Sequence, residues 1–217
     1  MRNLSEIVKA WPIVNGWSVA PENTDFCVKG TQLIVLGNDA RIGDWANIGN
    51  RANIGNDARI GDDANIGDWA NIGNRANIGN DARIGDDANI GDWANIGNRA
   101  NIGDWARIGD WARIGDWARI GDRANIGDRA NIGNRANIGN RANIGNRASD
   151  PINLGVADGF SCHLAQVEGV AFIGGGCKWL NIADAIAYVT DRPERAEMLD
   201  RVLYAATIAD RMGWKRA

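Results

Sequence analysis

One histidine, three cysteines and a glycine triplet are the first residues of this 217-residue sequence to test for chemistry. A general base for acyl or proton transfer is most often a histidine within reach of the substrate, and the only candidate is His163. Metal centres need several ligands converging on one ion. Cys162 and His163 are neighbours, so on a strand they point to opposite faces and make a poor metal pair. Cys27, Cys162 and Cys177 are odd in number and widely spread, which reads as a reducing compartment rather than a disulfide framework. Gly174-Gly175-Gly176 lacks the Lys-Ser/Thr ending and the spacing of either nucleotide fingerprint, so a strand end or tight turn accounts for it better. No catalytic, cofactor-binding or metal-ligating set emerges.

The elements that would position any such residue are dominated by one pattern. From Leu36 to Ser149 the chain runs through nineteen hexads of the form Ile-Gly-(Asp/Asn)-(Asp/Trp/Arg)-Ala-(Asn/Arg), with Leu36 in the place of the first Ile and Ser149 in that of the last Asn. Six matches neither the 3.6 of a helix nor the heptad of a coiled coil. Ala and Ile lie two apart, as in Ala46-Asn47-Ile48, so both face one side of a short strand and the residue between them faces the other. The Gly after each Ile, with the Asp or Asn that follows, is expected to supply the bend. Burying one Ile gives roughly 2–3 kcal/mol, while fixing six backbones costs about 1–2 kcal/mol each. A single coil is therefore unstable, and the rod must fold as a stacked array with caps on its open ends.

Ile42-Gly43-Asp44-Trp45-Ala46-Asn47 and its copies resemble the hexapeptide repeat of left-handed parallel β-helix proteins, over just over half of the chain. The resemblance implies a mainly β fold, a triangular solenoid with three hexads per turn and so about six turns. Many members of that family are trimeric acyltransferases. There is no His between residues 36 and 149, and no loop interrupts the hexads to cover an active site.

Residues 54–77 and 78–101 are identical over 24 residues, four hexads, so each copy lands rotated by one face. In this register Asp39, Asp57, Arg75, Trp93, Trp111, Arg129 and Arg147 share one corner file. Trp45, Asp63, Asp81, Arg99, Trp117 and Arg135 share a second, and Arg51, Trp69, Asp87, Trp105, Arg123 and Arg141 a third. The consecutive Trp105, Trp111 and Trp117 place a tryptophan at every corner of one layer, a collar able to seal a subunit interface or stack on sugar rings. Arg123, Arg129, Arg135, Arg141 and Arg147 occupy five successive corners, and no acid lies between residues 129 and 149. These eight residues form the candidate interaction surface. The blander reading is self-packing, with Trp93 over Trp111 and Arg99 over Trp117, and a solvated basic face.

Residues 1–30 read as an N-terminal cap, with a short helix opening at Asn3-Leu4-Ser5-Glu6 and ending at Trp11-Pro12, and a loop around Pro21. Residues 31–149 read as the solenoid, entered through a strand from Thr31 to Leu36. Residues 150–217 read as a small α+β domain beginning at Asp150-Pro151. Its hairpin pairs Phe160–Val167 with Val170–Cys177 across Glu168-Gly169, which leaves Cys162 only diagonal to Cys177 and too far for a disulfide. A helix from about Asn181 to Val189 follows, then a second starting at Asp191 with Glu194 completing a capping box. The second helix carries the stripe Leu199, Val202, Ala206 and Ala209 and ends at Gly213. Val167-Glu168-Gly169-Val170-Ala171-Phe172-Ile173-Gly174 and the closing Arg211-Met212-Gly213-Trp214 resemble the ends of uncharacterised hexapeptide-repeat proteins of phages and bacteria.

A formal net charge of -3 gives no ground for nucleic-acid binding. No run of eighteen apolar residues is present, so no membrane partner is expected, and Met1-Arg2-Asn3-Leu4-Ser5-Glu6 lacks the apolar stretch of a signal peptide. The expected setting is cytoplasmic or virion-associated. The sequence thus predicts a non-catalytic structural or binding rod, of phage or prophage type, that spaces or displays its end domains. It needs no cofactor, and its partner is a protein, itself or another, with a homotrimer among the assemblies. The alternatives are a divergent acyltransferase-like enzyme with His163 as base at a subunit junction, or a carbohydrate-binding solenoid using the corner tryptophans.

Overall fold

Ala and Ile two apart put their side chains on one side of the backbone, and in the computed structural model that side is the interior of the rod. The structure describes residues 13–14, 17–19, 26–29, 32–37, 39–157, 160–175, 178–190 and 192–217. From Ile48 to Ala148 every Ile and Ala of the repeat is buried except Ala136, while the residue between each pair faces outward. Eighteen two-residue strands, β5 (Arg41–Ile42) to β22 (Asn143–Ile144), follow one another along the chain. Each pairs in parallel with the strand eighteen residues away. Asn71 lies beside Asn53 and Asn89, and Ile72 beside Ile54 and Ile90. Eighteen residues are three hexads, so every third strand joins the same sheet and three sheets form the faces of a triangular hexapeptide-repeat solenoid.

The corners differ from the sequence expectation in which residue bends. The left-handed backbone falls on the fourth hexad position, whether Asp, Trp or Arg, with φ of 61° at Trp45 and 58° at Arg135. With Gly at the start and Ala at the end, as in Ala70 N–H to the Gly67 carbonyl at 3.5 Å, this is a type II-like turn with the positive φ at its third residue. The glycine is needed for a different reason. A Cβ on Gly91 would sit 2.6 Å from both the Asp110 nitrogen and the Gly109 carbonyl carbon, so coils stack this closely only without one. The third position holds Asn or Asp because Oδ1 accepts a backbone N–H from the coil before it, as in Asn50 N–H to Asp68 Oδ1 at 2.7 Å. The fourth-position N–H donates to a carbonyl of the same earlier coil, Trp69 to Asn50 at 3.0 Å. Corner amides that water would otherwise have to satisfy are thereby paired.

At the N-terminal end β1 (Ile13–Val14), β2 (Trp17–Val19), β3 (Phe26–Lys29) and β4 (Gln32–Leu36) form an antiparallel meander. It continues one solenoid sheet through Val35 beside Asn53 and Leu36 beside Ile54. The helix expected between Asn3 and Trp11, and the loop around Pro21, lie outside the described residues. The other end of the solenoid also runs on into further strands. Strand β23 (Ser149–Ala157) runs straight on from the last hexad, beside Asn131, and carries a second solenoid sheet into β24 (Phe160–Val167), β25 (Val170–Gly175) and β26 (Lys178–Asn181). The hairpin turn falls at Glu168-Gly169 as expected, with Val167 beside Val170, whereas Cys177 lies outside the described residues.

One face of this extension closes the rod. Ala165, Val167 and Trp179 join the solenoid core, and a Cβ on Gly145 would collide with the Trp179 ring. The opposite face, with Cys162, Leu164, Ala171 and Ile173, packs under two helices, α1 (Ile182–Thr190) and α2 (Ala196–Met212). Asn181 caps α1, accepting the Asp184 N–H at 2.8 Å. Helix α2 begins later than its sequence suggests, after a 3-10 turn over Pro193–Arg195, and Asp191 lies outside the described residues. Its buried stripe is Met198, Val202, Ala205, Ala206 and Ala209, with Leu199 at the margin, and Gly213 ends it in the left-handed conformation. No helix among the described residues is long and apolar enough to cross a membrane.

Candidate functional site

Each corner file is a column of fourth-position side chains one coil apart, about 4.8 Å. In the first file Arg75 pairs with Asp57 at 3.3 Å and lies 4.7 Å over the Trp93 ring, and Trp93 stacks on Trp111 at 4.8 Å. Arg147, in the same file, reaches Glu168 of the hairpin turn at 3.1 Å. In the second file Arg99 pairs with Asp81 at 3.3 Å and covers Trp117 at 4.8 Å. These ladders make the self-packing expected of Trp93, Trp111, Arg99 and Trp117. The exposed ion pairs within them contribute little to stability. The arginine run is also divided: Arg129 and Arg147 lie on the first corner, Arg135 on the second, and Arg123 and Arg141 on the third.

In the third file the ladder runs only part of the way. Arg51 covers Trp69 at 4.5 Å, but among the described residues Trp105, Arg123 and Arg141 at one end of the file have no ring contact or ion pair. Beside them runs a file of third-position residues. Asp104 Oδ1 accepts the Asp86 N–H at 2.9 Å, Asp122 Oδ1 accepts that of Asp104 at 3.1 Å, and Asn140 Oδ1 that of Asp122 at 3.0 Å. Val156 and Ser161, from β23 and β24, rise beyond the last coil and turn this corner into an open groove of about 610 Å³. The structure therefore brings together three of the eight residues singled out by sequence, Trp105, Arg123 and Arg141, and separates the other five. Asp104 and Asp122 were legible in the same hexads. Val156 and Ser161 carried no signal, since they reach the groove only because β23 extends the solenoid sheet.

Behind the groove wall lies His163. Its side chain is fully buried. Within the rod a glycine N–H donates to an Ile carbonyl of the next coil, as Gly127 does to Ile144 at 2.7 Å. Gly139 has no next coil on its face, and its N–H donates instead to His163 Nε2 at 3.3 Å. Nδ1 then carries the proton. It lies in the field of the Asn137 carbonyl without reaching hydrogen-bond geometry. Burial pushes the pKa down from 6.5 to about 4, partly offset by that carbonyl. The side chain is shut away from solvent and its Nε2 is engaged by the Gly139 N–H, so it is not placed to take a proton from a substrate as the sequence alternative required. Among the described residues no group of three or more His, Cys, Asp or Glu is placed to hold a metal ion.

The family model for bacterial transferase hexapeptide (six repeats) matches residues 81–116. No curated protein sequence matches the chain. Among solved structures, a Bacillus cereus protein assigned as an acetyltransferase is similar at 17% identity and a TM-score of 0.44, covering 80% of this chain and 91% of its own. The UDP-N-acetylglucosamine acyltransferase of Bacteroides fragilis is similar at 17% identity and a TM-score of 0.38, covering 77% of this chain and 79% of its own. A perosamine N-acetyltransferase mutant from Caulobacter crescentus, solved with CoA and GDP-perosamine, is similar at 16% identity and a TM-score of 0.37. There the match covers 54% of this chain, which spans about half of that protein, 53%. The family-model match corrects the expectation of a non-catalytic rod: the repeat itself matches a family of transferases, so it is not grounds for ruling out an enzyme. The phage resemblance of the C-terminal residues gains no support from these findings.

Proposed function

We propose that this chain is an acyl-group transferase of the hexapeptide-repeat type that works along the groove of the third corner. The observation behind this reading is a coincidence of place: residues 81–116 match the transferase repeat, and Asp104 and Trp105 of that segment line the groove. Arg123 and Arg141, stacked without an acid between them, suit the anionic portion of an acyl-CoA donor. The proton acceptors available are the Asp104 and Asp122 carboxylates, since His163 is buried and engaged. In the transfer, the acceptor's nucleophile bonds to the thioester carbonyl carbon as the C–S bond breaks. Its proton passes to a carboxylate and then to the departing thiolate. Carboxylates are weak bases, so an amine acceptor fits better than an alcohol. The reading includes a homotrimer, with Trp111 and Trp117, 52% and 53% exposed, at the contacts between copies.

The test is thiol release from acetyl-CoA and longer acyl-CoA donors in the presence of a panel of amines, with donor binding followed by calorimetry. Arg123→Ala and Arg141→Ala should each weaken donor binding about tenfold, as loss of one charge-assisted contact of roughly 1.5 kcal/mol does. Light scattering on the same sample should give three times the chain mass. Neither binding nor turnover with any donor would end the reading, and a monomer at all concentrations would remove the trimer from it.

A further inference from the structure

We infer that His163 is a neutral-imidazole latch: by accepting the Gly139 N–H it seats the C-terminal hairpin on the last coil and sets the far wall of the groove, and it releases that wall when protonated. This rests on the groove only for its consequence, not for the latch itself. The geometry carries it. On β24, His163, Ala165 and Val167 face the end of the rod, and Ala165 and Val167 belong to the solenoid core. His163 provides the only side-chain acceptor bonded to the Gly139 N–H among the described residues. Two residues before it, Ser161 packs on the same Gly139 and lines the groove, and the residue after Gly139 is Asn140, which lines it too. This hydrogen bond, beside that from Asn153 Nδ2 to the Asn137 carbonyl at 3.2 Å, ties the two sides of the groove together.

Protonation turns that bond from attraction to conflict. Nε2 would carry its own hydrogen and face the Gly139 N–H, two donors with no acceptor between them. Among the described residues no charged side chain is placed to welcome the new charge. The last coil offers Asn137 and Gly139, β23 pairs Asn153 beside His163, and β25 pairs Gly174 there. An open hairpin, with the imidazole in water, removes all of these penalties at once.

The linkage has a definite sign. The buried ring titrates at about 4 and the released ring at 6.5. The closed state is therefore at full strength above pH 6.5 and loses ground as pH falls towards 4. Between pH 7.5 and pH 5 the open population should rise roughly 30-fold.

The experiment is amide hydrogen exchange on the whole protein at pH 7.5 and pH 5, corrected for intrinsic exchange, alongside NMR titration of the histidine ring. The ring should titrate well below 6.5, and protection of peptides spanning 137–141 and 160–165 should fall at pH 5 while repeats 78–101 stay protected. His163→Gln, which keeps an acceptor oxygen but does not titrate, should flatten the pH response. A ring that titrates near 6.5, unchanged protection at pH 5, or the same loss in His163→Gln would overturn the latch. Should that variant fail to fold, the ring titration and exchange of the unaltered protein decide alone. Acyl-CoA turnover is not read in this experiment, so its outcome is independent of the transferase assay.

Discussion

At the residue scale, one position in six is governed by contact and another by conformation. Gly91 is fixed by contact, because a Cβ there would press on the backbone of the next coil at 2.6 Å, where nothing flexible can give way. Gly133 sits at the same hexad position on the last coil of its face, and a Cβ there would meet nothing within 4 Å. Gly91→Ala should therefore destabilise the rod by about 2–3 kcal/mol, as overpacking does, while Gly133→Ala should change stability by less than about 0.5 kcal/mol. Urea titrations of the two variants compare them directly, and equal losses would show that glycine is required for its backbone freedom instead. Conformation governs the fourth position. Trp and Arg held at positive φ there cost about 1 kcal/mol each, a strain that the ladders of Trp93 on Trp111 and Arg99 on Trp117 help to offset.

At the element scale, the weak points are the ends of sheets rather than their middles. Every interior coil has a neighbour on both sides, but the sheet ending at β22 (Asn143–Ile144) has only the cap to cover it. Trp179 supplies that cover, lying over Gly145 and stacked on Phe172 at 5.8 Å. Replacing it by Ala removes the lid from the apolar end of the rod. Trp179→Ala should cost about 3 kcal/mol and promote association through the uncovered strand edge. Denaturation monitored by circular dichroism, with light scattering for association, measures both. A variant as stable and as dispersed as the parent would show that α1 and α2 hold the cap unaided.

At the scale of the whole molecule, length and function separate. The groove is built from residues between Asp104 and Ser161, all at one end of the solenoid. The identical blocks 54–77 and 78–101 contribute no residue to it. Deleting residues 54–71, one coil, preserves every corner file and every in-register Ile contact beyond the junction. The shortened protein should fold, lose about 4.8 Å of length by small-angle scattering, and bind acyl-CoA as the parent does. Loss of binding in a folded deletion variant would place part of the site in the deleted coil.

The sequence alone determined the solenoid, because a hexad with Ala and Ile two apart has one way to bury both while stacking identical units. The eighteen-residue register, the three corner files and the pairings Trp93–Trp111 and Arg99–Trp117 all follow from counting. The hairpin at Glu168-Gly169 and the stop at Gly213 were equally legible, since each depends on local turn chemistry. Three things were decided only by tertiary structure. The left-handed residue of each corner is the fourth, not the glycine, because stacking distance dictates where a Cβ can fit. Strand β23 continues a solenoid sheet, because an unpaired edge at the end of the rod recruits whatever chain comes next, and this makes a groove of Val156 and Ser161 with Trp105, Arg123 and Arg141. His163 becomes a buried acceptor, because the last coil leaves the Gly139 amide without the carbonyl that every earlier coil provides. In each case a long-range contact chose among options that local sequence left equal.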